Sequence, residues 1–343
     1  MNLKELSKNL GLSQTTVSRA LNGYPEVNEE TRKRVLAFAE KINYRPNQRA
    51  KGLATGRAMA IGHVIPMSTK HEIVNPIFGD FIAGAGETYA KQGYDMHLTV
   101  VDDRSEQEAY RSLKSRGSVD GVVIHGPLKM DPRINLMRDL GLPFVVHGRS
   151  AGYPDTDYSW VDVNNHQAFV RATDLLLDLG HRRIGFVNGL ERMDFAIRRR
   201  AGYVDALAKR GLATDPDLMR SEEMTEVYGY RAAVGMLGLA VPPTAFLVSS
   251  LISALGVRRA IEEAGLKMGR DISIVTHDDV LSYLQNGSDV PIFTATRSSV
   301  RHAGRLVAEM LLERIAEPTL PPRQILLEAD LMVGTSTGPA PKS

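Results

Sequence analysis

Residues 3–22 read LKELSKNLGLSQTTVSRALN, and the spacing within this stretch decides how the chain begins to fold. Leu3, Leu6 and Leu10 recur at helical intervals, and Gly11 closes that segment. Ser13 is placed to cap a second helix on which Val17, Ala20 and Leu21 share a face. Working outward, Gly23-Tyr24-Pro25 breaks the second helix. Asn28 is placed to cap a third, with Glu29 and Glu30 near its positive end and Val35, Leu36, Ala39 and Ile42 as core positions. Asn43-Tyr44-Arg45-Pro46 ends it, because the residue before a proline resists helical geometry. Residues 1–45 therefore read as helix, short turn, helix, and a third helix.

The second of these helices opens with Gln14, Thr15, Thr16, Ser18 and Arg19. Major-groove readout needs such a set: hydroxyls and amides reach phosphates or base edges, and a guanidinium forks onto the acceptors of guanine. The plainer alternative is a small three-helix domain with a solvated polar face.

Residues 47–57 (NQRAKGLATGR) form a basic connector with moderate helix potential. From Ala58 the pattern changes. MAIGHVIP, DMHLTVVD, DGVVIHG, PFVVHGR, RIGFVNG, TAFLVSS and DISIVTHDD are short apolar strand candidates. Amphipathic stretches at 78–92, 105–116, 166–179, 196–210, 228–238 and 254–264 separate them. Such alternation predicts an α/β body of parallel sheets covered by helices, with ligands at the carboxyl ends of the strands. The number of strand–helix units exceeds one compact sheet, so two subdomains are expected. The tail GTSTGPAPKS predicts no packed structure.

Charge separates the same two parts. The 343 residues carry a net +2, yet residues 1–58 hold 11 Lys and Arg against 5 Asp and Glu, a net +6, and the remainder is −4. A basic head on a mildly acidic body points to an anionic partner for the head alone. With no cysteine, a disulfide framework, Cys-ligated zinc and a thiol nucleophile are excluded. No apolar run reaches about 18 residues, and the first residues lack the apolar stretch of a secretory signal. A cytoplasmic setting without membrane contact is expected.

Ser13-Gln14-Thr15-Thr16-Val17-Ser18-Arg19-Ala20-Leu21-Asn22, followed by Val27, Thr31, Arg32 and Val35 and then by Asn43-Tyr44-Arg45-Pro46-Asn47, strongly resembles the LacI/GalR (lactose/galactose repressor) family of bacterial transcription regulators. The resemblance covers nearly the whole chain. It implies an α/β protein in which an N-terminal all-α helix-turn-helix head (1–45) is joined by a hinge helix (46–57) to a periplasmic-binding-protein-like core (58–343). The core would hold an N-subdomain at about 58–159 and 290–318 and a C-subdomain at about 160–289 and 319–338. By the same resemblance Gln14, Thr15 and Arg19 sit at base-reading positions. Ser13, Thr16, Ser18, Asn22, Tyr44 and Asn47 accompany them on the DNA. In the connector, Ala50, Lys51 and Leu53 match the minor-groove hinge, Leu53 being the residue that wedges between base pairs. Gly52 lowers helix propensity there.

For the body the resemblance implies a cleft that closes on a small carbohydrate, a free sugar or a sugar phosphate. Its candidate contacts are Asn75, Phe78, His125, Arg149, Trp160, Arg199 and Asp278. Asn75 is alternatively a helix start, His125 alternatively structural, and Trp160 either stacks on a sugar ring or packs in the core. Departures from the family pattern are Ser250-Leu251, His277 and Met224. The expected protein is a homodimeric repressor of carbohydrate uptake or catabolism genes on a near-palindromic double-stranded operator, with no cofactor or metal. The competing reading is a sugar-binding protein without a DNA role. An enzyme fits poorly. Gly334-Thr335-Ser336-Thr337-Gly338 has the letters of a nucleophile elbow but no following helix, and Gly84-Ala85-Gly86 lacks the third glycine of a dinucleotide loop.

Overall fold

The computed structural model describes residues 2–21, 23–44, 56–66, 75–102 and 104–342. They fall into two compact units, Met1–Met59 and Ala60–Ser343.

The first unit contains α1 (Leu3–Leu10), α2 (Gln14–Leu21) and α3 (Glu29–Lys41). Asn2 and Glu5 close a reciprocal capping box at the start of α1. Gly11 turns the chain at φ 65°, a left-handed conformation that costs any residue with a Cβ. Ser13 Oγ accepts from the Thr16 amide at 3.0 Å, and Asn28 Oδ1 from the Thr31 amide at 2.7 Å. Leu6, Val17, Ala20, Val27 and Val35 form the core, edged by Phe38, Ile42 and Tyr44. Leu36, expected inside, is exposed: Val35 and Ala39, one turn apart, take the inner face and rotate Leu36 off it. The connector positions Ala50, Lys51 and Leu53, with Asn22 and Asn47, lie outside the described residues.

The second unit holds two six-stranded sheets. The first is built from β1 (Ala60–Pro66), β2 (Asp95–Val101), β3 (Gly121–His125), β4 (Phe144–His147), β5 (Trp160–Val163) and β11 (Gln324–Leu327), in the order β11-β5-β4-β3-β1-β2. All of its pairings are parallel. The second comprises β6 (Ile184–Asn188), β7 (Met219–Ser221), β8 (Ala245–Val248), β9 (Ser273–Asp278), β10 (Thr294–Arg297) and β12 (Asp330–Met332), in the order β12-β10-β9-β8-β6-β7. It is parallel except where β12 runs against β10. Helices α4 (Pro76–Lys91), α5 (Glu106–Ser115) and α6 (Pro132–Asp139) accompany the first sheet. Helices α7 (Asn165–Asp178), α8 (Asp194–Lys209), α9 (Glu226–Leu237) and α10 (Leu251–Glu263) accompany the second. Helix α11 (Val300–Ala316) returns to the first, burying Val300, Val307 and Leu311 against Ile61, Val123 and Val145. No described helix is long and apolar enough to cross a membrane.

Strand pairing moves all three expected subdomain crossings. Strand β5, at the head of the segment assigned to the C-subdomain, pairs in the first sheet, so the chain crosses after residue 163 rather than before 160. Strand β10, assigned to the N-subdomain, pairs with β9 in the second sheet, and the chain crosses only on entering α11. Strand β11, assigned to the C-subdomain, pairs with β5, so the last crossing falls between 327 and 330. Strands of four residues, two of them broken by Asp or by Thr and Arg and the third with only three apolar residues, give too short a pattern to reveal their sheet. The tail is also packed. The Ser336 hydroxyl, fully buried, donates to the Ile274 carbonyl at 2.5 Å and accepts from the Thr294 amide at 2.8 Å, and the Ala340 amide reaches the Leu179 carbonyl.

Gly84 and Gly304 mark where α4 and α11 cross. A Cβ on Gly84 would lie 2.0 Å from the Arg301 carbonyl oxygen, and one on Gly304 would lie 2.3 Å from that of Phe81. The Gly-Ala-Gly at 84–86 is thus a helix-packing device. Gly84→Ala should destabilise the protein by about 1–3 kcal/mol through overpacking, read as a lower denaturation midpoint. A midpoint equal to wild type would contradict so close a crossing.

Candidate functional site

Two surfaces gather the chemistry, one in each unit. In the head, Val17 and Ala20 turn inward, which leaves Gln14, Thr15 and Arg19 exposed and Thr16 and Ser18 half-buried on the other side of α2. Ser13 and Thr16 share a hydroxyl–hydroxyl hydrogen bond of 2.8 Å. One O–H of that pair is consumed between them and the other stays available at the positive end of the helix. Tyr44 lies half-buried against the core edge, and burial raises its phenol above the usual value.

In the second unit a cavity of about 340 Å³ opens at the carboxyl ends of both sheets, within the range of small-ligand sites. Asn75, Phe78, His125, Arg149 and Arg199 all line it. Asn75 also caps α4, accepting from the Ile77 amide at 3.1 Å. Phe78 meets the His125 ring edge-on at 5.2 Å. Arg149 lies over the Trp160 ring at 4.9 Å, donates from Nε to Asp162 at 2.8 Å and reaches Asp155 at 3.3 Å.

Arg199 is a buried charge in the cavity wall. It donates from Nε to Asn165 Oδ1 at 2.7 Å and from Nη1 to the Ser249 carbonyl at 2.6 Å. The rings of Phe169 and Phe195 flank it at 5.1 and 5.0 Å. Burial lowers its pKa to about 10, so it stays cationic at neutral pH. Facing it, Asp279 lines the same cavity. Burial pushes that carboxyl up to about 7 against the attraction of Arg199. Neighbouring His277 is held by Thr296 Oγ1 at 2.9 Å, and burial with Arg199 drives its pKa well below the usual value.

Two expected contacts lie elsewhere. Asp278 faces away from the cavity: its carboxylate accepts from the Val280 amide at 2.8 Å and borders a separate depression beside Ser282 and Asn286. Neighbouring residues of an extended chain point to opposite sides, so the acid in the cavity is Asp279, which shares the parity of His277. Val280 follows at φ 56°, a strained conformation for a β-branched residue. Trp160 also lies off the cavity. It begins β5, whereas the cavity lies at that strand's far end. Its ring is buried with Phe144 and Tyr158, and its indole N–H donates to the Asp155 carbonyl at 2.9 Å. Asp162, His147, Asn165, Phe81 and Asp279 are lining residues that the sequence reading passed over.

A carboxyl raised by burial favours the folded state while protonated, and that contribution is lost as pH rises from its ordinary value through about 7. Asp279→Asn, neutral throughout, should therefore raise the melting temperature more at pH 8 than at pH 5. Equal shifts at both pH values would contradict a buried Asp279.

Residues 2–47 match the model of bacterial regulatory proteins of the lacI family, and residues 173–337 match that of a periplasmic-binding-protein-like domain. The chain is 48% identical to the HTH-type transcriptional regulator AglR of Rhizobium meliloti (strain 1021), over 99% of this chain and 95% of that protein. Among solved structures, the transcriptional regulator CelR–cellobiose complex aligns with a TM-score of 0.73 and 27% identity, over 98% of this chain and 99% of that one. The lac repressor dimer bound to operator and the anti-inducer ONPF aligns with a TM-score of 0.83 over 98% and 99% of the chains; at 24% identity it speaks for the fold alone. The chain thus belongs to the lacI family of bacterial regulatory proteins and is a helix-turn-helix transcription regulator rather than an enzyme.

Proposed function

We propose that the protein acts in the cytoplasm as a homodimer on a near-palindromic double-stranded DNA operator, repressing genes of carbohydrate uptake or catabolism, and that a small neutral carbohydrate in the core cavity sets its grip. The observation that carries the effector half is a cavity wall on which Arg199, held by Asn165, and the Asp279 carboxyl stand among aromatic rings. Sugar sites combine planar hydrogen-bonding groups with apolar faces in this way.

Charge favours a neutral sugar over a sugar phosphate. The Arg149 fork is already held by Asp162 and Asp155, and both Asp162 and Asp279 line the cavity. A phosphate would meet the Asp162 carboxylate, whereas sugar hydroxyls can donate to it. The neighbouring CelR structure is a cellobiose complex, which accords with a sugar of one or two rings.

In the head, Gln14, Thr15 and Arg19 are assigned to base edges. Ser13, Thr16, Ser18 and Tyr44 are assigned to the backbone, with Asn22, Asn47, Ala50, Lys51 and Leu53 completing the set from outside the described residues. Dimer symmetry would then impose operator symmetry.

Cleft closure supplies the switch. The Asp194 amide donates to the Pro127 carbonyl at 2.9 Å and the Ala151 amide to Asp194 Oδ1 at 2.9 Å, bonds that join the two subdomains beside the cavity. A ligand that favours one opening angle needs only about 1–3 kcal/mol of coupling to change operator affinity 5–150-fold.

Arg19→Ala should abolish preference for operator over random duplex while leaving weak, salt-sensitive binding, measured by fluorescence anisotropy; unchanged preference would remove Arg19 from base readout. Arg199→Ala should weaken sugar binding at least tenfold in calorimetric titrations with cellobiose, maltose, sucrose and raffinose. Wild-type affinity for whichever of these binds would remove Arg199 from the site.

A further inference from the structure

His63 stands in the middle of β1, a strand otherwise apolar, and is fully buried. Its Nδ1 lies 2.9 Å from His125 Nε2, and its Nε2 lies 3.3 Å from the Tyr89 hydroxyl. Tyr89 projects from α4 and is itself buried. A phenol, an interior imidazole and a cavity-lining imidazole thus form one continuous chain of hydrogen bonds from the core to the cavity wall.

The chain has a direction. Among the described residues His63 Nε2 is the only hydrogen-bond partner of the Tyr89 hydroxyl. If that hydroxyl accepted from His63, its own hydrogen would be buried without a partner, the costly outcome. Tyr89 therefore donates to His63 Nε2. A neutral imidazole has one donor and one acceptor nitrogen, so His63 carries its proton on Nδ1 and donates it to His125 Nε2. His125 then carries its own proton on Nδ1. Burial keeps both rings neutral: it lowers His63 to about 3, and it lowers His125 well below the usual value with help from His63, His147 and Arg133.

We infer that Tyr89 and His63 are positioning residues that lock His125 in the Nδ1–H tautomer, making it a fixed hydrogen-bond donor in the cavity wall and selecting effectors that present an acceptor oxygen there. This rests on the cavity being the effector site, yet the tautomer itself is a property of the unliganded protein. A histidine whose free nitrogen only accepted would select a ligand hydroxyl able to donate; a fixed donor tolerates a hydroxyl or an ether oxygen equally.

Long-range ¹H–¹⁵N correlation spectra of the full chain labelled with ¹⁵N-histidine read the tautomer directly, with His63→Gln and His125→Gln assigning the signals. The expected spectrum has a protonated Nδ1 and an unprotonated Nε2 on both rings. Tyr89→Phe, which removes one hydroxyl without altering packing volume, should shift His125 toward a tautomer mixture. It should also weaken binding of the tightest of cellobiose, maltose, sucrose and raffinose by about 3–30-fold, and it should lower the melting temperature modestly, because the buried His63 Nε2 loses its partner. A protonated Nε2 on wild-type His125, or a His125 tautomer untouched by Tyr89→Phe, would overturn the inference. If none of the four sugars binds, the carbohydrate assignment fails while the spectra still decide the relay.

Discussion

A guanidinium taken out of water must be compensated on every side, and the core is organised around that requirement at Arg199. Two neutral oxygens, from Asn165 and from the Ser249 carbonyl, take two of its donor nitrogens. Two aromatic rings flank it, and the Asp279 carboxyl attracts it electrostatically. These groups come from α7, the end of β8, α8 and the turn after β9. None can move far without leaving a buried charge exposed to apolar surroundings. The result is a rigid polar wall on the second subdomain, opposed by an aromatic and imidazole wall on the first.

The two walls face each other because the chain passes three times between the sheets. Parallel strands joined by covering helices bring all their carboxyl ends to one edge, and the crossings align the two edges. The return of α11 to the first sheet, locked by the Gly84–Gly304 contact with α4, binds the last part of the chain to the first part of the core. Packing of this kind is stiff within each subdomain and leaves relative motion to the crossings, the arrangement expected of a hinged switch.

Much of this architecture was legible in the sequence. The alternation of apolar runs and amphipathic stretches announced parallel sheets, and the caps at Ser13 and Asn28 announced the head. What escaped notice shares a physical cause. Strands β5, β10 and β11 are four residues long and carry polar side chains, so their sheet was set by pairing rather than by pattern, and the subdomain boundaries moved with them. Asp278 and Trp160 were misplaced for a similar reason: in an extended segment, function depends on parity and on which end of the strand a residue occupies. His277 gave the parity, and the position of Trp160 at the start of β5 gave the polarity. His63 was the one polar residue within an apolar strand, and a buried polar group must find a partner.

The account stands on linkage between the cavity and the head, and binding free energies must show it in both directions. The most direct measurement takes a genomic DNA site recovered by the full chain. Its dissociation constant is determined at fixed salt, with and without a saturating concentration of a sugar shown to bind. The expected result is a change of at least fivefold, in either direction, that disappears in Arg199→Ala. An operator affinity indifferent to the bound sugar, or one that still responds when Arg199 is gone, would contradict it.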